Sequence, residues 1–485
     1  GKKTLRLQYR AVRRFPEEIM RSMMAQRLVI AVLFLTMGAA QAAGFLQLHP
    51  ENPHYLLWRG KPTVLITSGE HYGGVLNLDF DYRRYFKTLE SHGFNLTRTF
   101  TGAYCASPGA FGIEDNNMAP KRNRLICPWA RSDTPGYANG GNKFDLTQWD
   151  PAYFKRLRDF VGEAGKRGVV VELVLFCPFY KDSMWDLSPM KAENNVNGVG
   201  RMDRKAVYTL KHPELLAVQE AMVRKIVQEL KGFDNLYYEI CNEPYFGGVT
   251  LAWQAHIAQV IVEAEAGFDK NHLIAQNIAN GGKKVVDADP NVSIFNFHYA
   301  DPPDTVADNY ALNKVLGDDE TGFDGDGPDP YRMEGWDFII AGGAVYSNLD
   351  YSFTCGKENG TANPKAPGSR GPEIQKQLSI LKTFIDRFDF VRMKPDKKVI
   401  KGVKAQKASA RALAESGHAY AIYIRGTGPA TLSLALPEGA YDAAWVNTKT
   451  GETDKTEMIR AGNGPTELVS PPFTHDIALR VKRSD

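Results

Sequence analysis

The chain has 485 residues, 43% of them hydrophobic and 24% charged, an ordinary globular composition that excludes a disordered polymer and has room for one large domain plus a small one. Eight of its 59 basic and two of its 56 acidic residues lie in 1–42, so the remainder carries 51 basic against 54 acidic, and nothing in the charge favours nucleic acid or anionic lipid as a partner. Its five cysteines, at 105, 127, 177, 241 and 355, are too few and scattered for a disulfide scaffold or a Cys-x-x-Cys metal site, although Cys105 and Cys127 bracket one loop and could pair in an oxidising compartment.

At the start of the chain Arg21 and Arg27 precede an apolar run, 28–37, that ends in Ala40-Gln41-Ala42. This small-x-small signature reads as a secretory signal peptide within a leader of 1–42, with Met20, Met23 and Met24 as candidate starts, and implies a secreted or periplasmic product. The run falls short of the ~20 residues that span a bilayer, so no membrane span is expected in the mature chain.

From about 55 to 395, short β-branched runs alternate with helical patterns. The expected strands are 63–67, 95–99, 169–175, 236–240, 273–276, 293–298, 314–317 and 349–353, and the expected helices are 82–91, 151–167, 213–231, 251–266, 332–344 and 373–390. Eight parallel strands with crossover helices indicate the α/β class and a (β/α)8 TIM barrel over 43–395. An open doubly wound sheet is the alternative, but no Gly-rich phosphate loop follows the first strand. Beyond Pro395 the alternating runs 419–424, 430–436, 443–447 and 476–481, with Gly and Pro between them, predict a small antiparallel β-sandwich over 396–485.

In a barrel the reacting groups stand at the C-terminal ends of strands and on the loops that follow. Those positions supply Glu70 and His71 after the first strand, Arg98 on the second, Asn242 and Glu243 after the fourth, and His298 on the sixth. The seventh adds Asp318, Asp319 and Glu320, and the eighth Asp350 and Ser352. Two carboxylates delivered by separate strands, Glu243 and Glu320, suit cleavage of a glycosidic bond by acid and nucleophile. Asn-Glu-Pro alone could equally be a helix N-cap, His298 a satisfied core histidine and Arg98 a buried ion-pair partner. The long loops 102–143 and 178–211 hold Tyr104, Trp129, Tyr137, Tyr180 and Trp185, whose rings could stack on sugars or simply pack the loops. Loops of that length wall in a pocket and favour attack at chain ends. The acids Asp318, Asp319, Asp324, Asp326 and Asp329 match no complete EF-hand loop, which leaves a cation there the minor alternative.

With Asn242-Glu243-Pro244 after the fourth strand, Arg98 on the second, His298 on the sixth and Glu320-Thr321-Gly322 on the seventh, the chain resembles the cellulase-like retaining glycoside hydrolases of clan A. The resemblance spans most of 55–390. It implies Glu243 as acid/base, protonated at rest, and Glu320 as nucleophile, with Asp319 the alternative. It implies Asn242, His298 and Arg98 as substrate-binding residues, a carbohydrate partner, a β-linkage, and no cofactor or metal; His71, Glu70 and Asp350 at the strand ends and Trp129 and Trp185 on the loops are further substrate-binding candidates read from their positions. The pattern departs where Asp318-Asp319 precede Glu320 and where Asp350-Tyr351-Ser352 replaces the eighth-strand Trp. The last 90 residues resemble the small β-domains that follow such barrels in bacterial exported enzymes. A transglycosylase and an inactive carbohydrate-binding protein are the competing readings of the same scaffold.

Overall fold

This computed structural model describes residues 44–484; the expected leader lies outside them. Eight parallel strands form the barrel: β1 (Leu65–Gly69), β2 (Leu96–Phe100), β3 (Val170–Phe176), β4 (Leu236–Cys241), β5 (Leu273–Asn280), β6 (Ile294–His298), β7 (Val315–Thr321) and β8 (Val345–Leu349). They neighbour one another in order, with β8 returning to β1. Between β1 and β2 the Asn95 side chain closes the ring, accepting from Ile66 N at 2.9 Å and donating to Val64 O at 2.8 Å.

The outer helices are α1 (Tyr82–Ser91), α2 (Pro151–Lys166), α3 (Pro213–Leu230), α4 (Leu251–Ala264), the short α5 (Asp304–Asn309), α6 (Asp329–Ile340) and α7 (Pro372–Ile385). Local chemistry explains their starts. Asp81 caps α1 by accepting from the Arg83 and Arg84 amides, Asp150 caps α2 ahead of Pro151, and Thr250 caps α4. Their apolar stripes close on the strands: α1 buries Tyr82, Tyr85, Phe86 and Leu89. The crossover from β5 to β6, residues 281–293, carries no helix among the described residues, and it leaves the flank of α4 without a helical neighbour there.

One strand expectation is corrected. The eighth strand occupies Val345–Leu349, so 350–353 belong to the loop after it. The helix read as 332–344 ends at Ile340 because Gly342 turns the chain with φ +105 and Gly343 lies against Phe338, where a Cβ would meet the ring at 2.2 Å.

The last segment is an antiparallel sheet, as the alternation implies. Its strands are β9 (Ile400–Glu415), β10 (Ala419–Leu434), β11 (Gly439–Val446), β12 (Thr453–Ala461), β13 (Thr466–Val469) and β14 (Thr474–Arg483). The runs 419–424 and 430–436 prove to be one long strand, β10, which pairs with β9 along its length, with β14 over its first half and with β13 near its end. Alternate residues of this sheet go to two cores. Leu413, Ala421, Tyr423 and Ala478 join the barrel core, whereas Tyr420, Ile422, Ile424, Leu432 and Trp445 enclose the sheet's own. Buried Arg332 of α6 ties the two together, donating to Asp476 Oδ1 from its NH2 group at 2.6 Å, while Trp336 stacks on Tyr423 at 5.6 Å. No helix among the described residues is long and apolar enough to cross a membrane.

Candidate active site

The C-terminal ends of β4, β6 and β7 bring Glu243, His298 and Glu320 together, and a carboxylate oxygen of Glu243 lies within 4.8 Å of one of Glu320. How Asp319 and Glu320, neighbours in sequence, both turn inward is visible in the β6–β7 register. Phe297 pairs with Asp318 and His298 with Glu320, so Asp319 is the extra residue of a β-bulge. An unbroken strand would send one of the two to the opposite face. The bulge aims Asp319 into the barrel interior and Glu320 into the cavity above it, while Asp318 lies buried beside Glu334 of α6, which shifts its titration upward.

Beneath the pair lies a polar layer built from single ionisable residues in apolar strands. Arg98 is buried at its centre. Its NH1 group donates to Glu320 Oε2 at 3.2 Å and its NH2 group to Asn242 Oδ1 at 2.8 Å and to Glu239, while Nε sits 3.2 Å from Asp319 Oδ2 and 3.7 Å from Glu172. Asn296 Nδ2 reaches Glu172, Glu239 and Asp319 at 2.7, 3.0 and 2.9 Å. Gly317 opposite leaves room for this amide, since a Cβ there would meet Asn296 Oδ1 at 2.4 Å.

Burial and mutual charge divide the protons in this layer. Burial and the neighbouring Asp319 and Glu239 hold Glu172 well above the usual carboxylate range, and burial takes Glu239 up to about 7. Burial would also raise Asp319, but the Arg98 and His298 charges beside it hold it low. His298 loses solvation by burial yet is kept cationic by the Glu320 and Asp319 charges, its Nδ1 3.5 Å from an oxygen of both Glu243 and Glu320 and its Nε2 3.4 Å from Asp319.

Glu243 is itself buried, which favours the neutral acid, but the His298 imidazole 3.5 Å away and the hydrogen bond from the Tyr180 hydroxyl take it below its ordinary value. That direction opposes the expected resting proton on Glu243, and His298, whose value is raised, is the neighbouring group able to hold one. Tyr180 Oη donates to Glu243 Oε2 at 2.5 Å and accepts from Asn242 Nδ2 at 2.8 Å, and Tyr299 Oη donates to Glu320 Oε1 at 2.7 Å. Each carboxylate is thus oriented by a tyrosine.

The cavity holds about 240 Å³ and is walled by His71, Tyr72, Tyr104, Tyr180 and Phe100, with Phe111, Phe246 and Phe323 exposed at its mouth. Five of the twelve non-glycine residues with positive φ among those described line it: Tyr72, Phe111, Glu243, Tyr299 and Phe323. Left-handed backbone is costly for such side chains and persists only where the surroundings enforce it, which makes this pocket the candidate functional centre.

Of the residues expected to bind substrate, Asn242, His298, Arg98 and His71 gather around this cavity, His71 holding Asn116 Oδ1 through Nδ1 at 2.8 Å. Burial pushes His71 down to about 4, so it is a neutral ring. The other four do not fit that role. Glu70 folds back to accept from the amides of Gly73 and Gly74 at 3.0 and 2.7 Å and from Asn117 at 2.8 Å, which makes it the organiser of its own turn. Asp350 is buried and accepts from Ser68 Oγ, Ser352 N and Gln375 Nε2, fixing the loop after β8. Trp129 is fully buried where the hairpin 129–149 starts, and Trp185 packs on Phe179 at 4.7 Å with its indole bonded to Met202 O.

Cys105 and Cys127 are free buried thiols, so the possible bridge is absent. The acids of 318–329 do not converge on one another: Asp326 pairs with Arg370 at 2.7 Å and Asp329 with Arg332 and with His475 at 2.8 Å. Asp319 groups instead with Glu172 and Glu239, and Glu320 with Glu243 and His298, close enough to share an ion. Sequence reasoning passed over Glu172 and Glu239, although a lone carboxylate inside an apolar strand was a readable signal. It also weighed Tyr180 only as a stacking ring, and it omitted Tyr299, which directly follows His298.

No family model and no curated protein matches the sequence. Solved structures do match the fold. A glycoside hydrolase family 5 structure from Bacteroides vulgatus superposes with a TM-score of 0.63 at 14% identity, over 92% of this chain and 95% of that one. A second glycoside hydrolase superposes with a TM-score of 0.63 at 16% identity, over 92% and 98%. The barrel and the appended antiparallel sheet are thus similar to the fold of those glycoside hydrolases.

Proposed function

We propose that this chain is a retaining glycoside hydrolase, with Glu320 as nucleophile and Glu243 as acid/base, acting on a β-linked oligo- or polysaccharide. The observation that carries this reading is the carboxylate separation of Glu243 and Glu320, within 4.8 Å at its closest pair of oxygens. It accords better with the ~5–5.5 Å of double displacement than with the ~6.5–9.5 Å of inversion. The glycoside hydrolases that share the fold agree with it. Residues 43–395 serve as the catalytic barrel and 396–485 as an accessory domain, with 1–42 directing export to the periplasm or medium.

In the first step a Glu320 oxygen attacks the anomeric carbon as the bond to the leaving oxygen breaks. The proton on that oxygen comes from Glu243, which takes it from His298 Nδ1 across the 3.5 Å between them. Arg98 and Tyr299 hold Glu320 in place, donating to its Oε2 at 3.2 Å and its Oε1 at 2.7 Å. In the second step Glu243 deprotonates a water that attacks the anomeric carbon and passes that proton back to His298, freeing Glu320 and giving a product of unchanged configuration. Asn242, held by Arg98 and Tyr180, is placed to bond the sugar 2-hydroxyl, a contact that strengthens as positive charge develops at the anomeric carbon. A digestion panel over β-linked oligosaccharides, with the product anomer followed by proton NMR, tests the reading. Retained configuration supports it, and inversion or activity undiminished in Glu320→Ala overturns it.

A further inference from the structure

We infer that Glu243, His298 and Glu320 together bind a transition-metal dication, Zn2+, which sits at the floor of the cavity as an inhibitor. This goes beyond the hydrolase reading, in which no step uses a metal. His298 Nδ1 lies 3.5 Å from Glu243 Oε1 and 3.5 Å from Glu320 Oε1, and one ligand atom from each of the three residues lies within 4.8 Å of the others. Zinc bonds of ~2.0–2.2 Å to imidazole nitrogen and carboxylate oxygen place the corners of a tetrahedron about 3.3–3.6 Å apart. The two nitrogen-to-oxygen edges already have that length.

The surroundings of His298 point the same way. Its ring is fully buried, and neither nitrogen has a hydrogen-bond partner. Nδ1 is aimed between the two carboxylates, while Nε2 lies 3.4 Å from Asp319 Oδ1. A carboxylate behind the second nitrogen is the usual outer partner of a metal-bound histidine. The Tyr299 hydroxyl, donating to Glu320 Oε1 at 2.7 Å, is another such partner and leaves that oxygen a second lone pair. The neighbouring acids Glu172, Glu239 and Asp319 are not an equivalent site, because the Arg98 guanidinium already lies among them. Glu243 and Glu320 line the cavity, so the ion enters from there and a water completes its shell. Three ligands fall short of the six to eight oxygens that Ca2+ takes, and imidazole suits zinc. Binding is coordination alone: each ligand atom donates a lone pair, any proton on Nδ1 passes to solvent, and no oxidation state changes. With both carboxylates ligated, neither can react with a sugar.

Calorimetric titration of the full chain with Zn2+ is expected to show one site, and Co2+ in its place the visible absorption of a tetrahedral ion. Tyr299→Phe, which deletes an outer partner, should weaken binding by about 10–100-fold. His298→Asn, which deletes a ligand, should weaken it further and abolish the Co2+ bands. Zn2+ should also raise the thermal midpoint of the wild-type chain and not that of His298→Asn, and Glu320→Ala repeats the comparison if His298→Asn does not fold. Of β-glucosyl, β-mannosyl and β-galactosyl fluorides, whichever is turned over should show a raised KM and an unchanged kcat in the presence of Zn2+. No bound Zn2+, equal affinity in wild type, His298→Asn and Glu320→Ala, or turnover indifferent to bound Zn2+ overturns the site and leaves the hydrolase reading standing. One Zn2+ lost with His298 in a chain that cleaves no glycoside upholds the site and removes the hydrolase reading.

Discussion

Tyr180 donates its hydroxyl proton to Glu243 Oε2 at 2.5 Å while accepting from Asn242 at 2.8 Å, so one phenol fixes both residues of the Asn-Glu pair. Tyr180→Phe keeps the ring and deletes the bond. A hydrogen bond to a charged group contributes ~1.5–3 kcal/mol, so kcat/KM is expected to fall on the order of tenfold to a hundredfold while the thermal midpoint changes little. Steady-state kinetics beside a melting curve check this.

His298 governs the alkaline side of the pH profile. Its folded value is raised by the Glu320 and Asp319 charges, so it stays protonated above the ordinary ~6.5 of histidine. The acid step needs that proton, and activity is lost only as pH climbs through the raised value. In His298→Asn the proton must sit on Glu243 itself, which keeps the burial that raises it and loses the His298 contacts that lower it. The alkaline limb of kcat/KM is then set by a carboxyl instead of the raised imidazole and should move down. An unmoved limb excludes His298 as the proton source.

Arg98 is the shared counter-ion of Glu172, Glu239, Asp319 and Glu320. Arg98→Met strands these buried acids, and removal of one partner from such a group costs about 3–5 kcal/mol. Denaturant unfolding should show that loss at neutral pH. It should shrink in mild acid, where the stranded carboxylates can take up protons.

Trp129 and Trp185 separate packing from binding. Truncating a buried tryptophan to alanine costs about 3–5 kcal/mol, so Trp129→Ala should lower the unfolding free energy by that order. The KM of the folded fraction should stay where it was, because the ring lies under the 129–149 hairpin and away from the cavity.

Much of the fold was legible because its signals are local. The apolar runs before Asn242 and His298 end where the strands end, and Asp81, Asp150 and Thr250 cap the helices they precede. The eighth strand was placed too late because Val345-Tyr346-Ser347-Asn348-Leu349 mixes polar and apolar residues, a pattern a fully buried strand shows only when its polar groups bond inside the barrel, as Asn348 does with Ser68 and Ser369. The β7 bulge was not legible at all, since register depends on the partner strand. Without it, Asp318-Asp319-Glu320 reads as three candidates for one position. Trp129 and Trp185 show the same limit: composition puts aromatics in loops, but only three-dimensional packing says which reach the cavity.

The assignment of Glu320 is tested most directly by trapping. The 2-deoxy-2-fluoro derivative of whichever glycosyl fluoride is turned over slows release of the glycosyl-enzyme, and intact-mass and peptide mass spectrometry then locate the added sugar. The account predicts one sugar per chain, esterified to Glu320 and absent from Glu320→Ala. A label on Asp319 or any other residue, or turnover to an inverted product with no label, would contradict it.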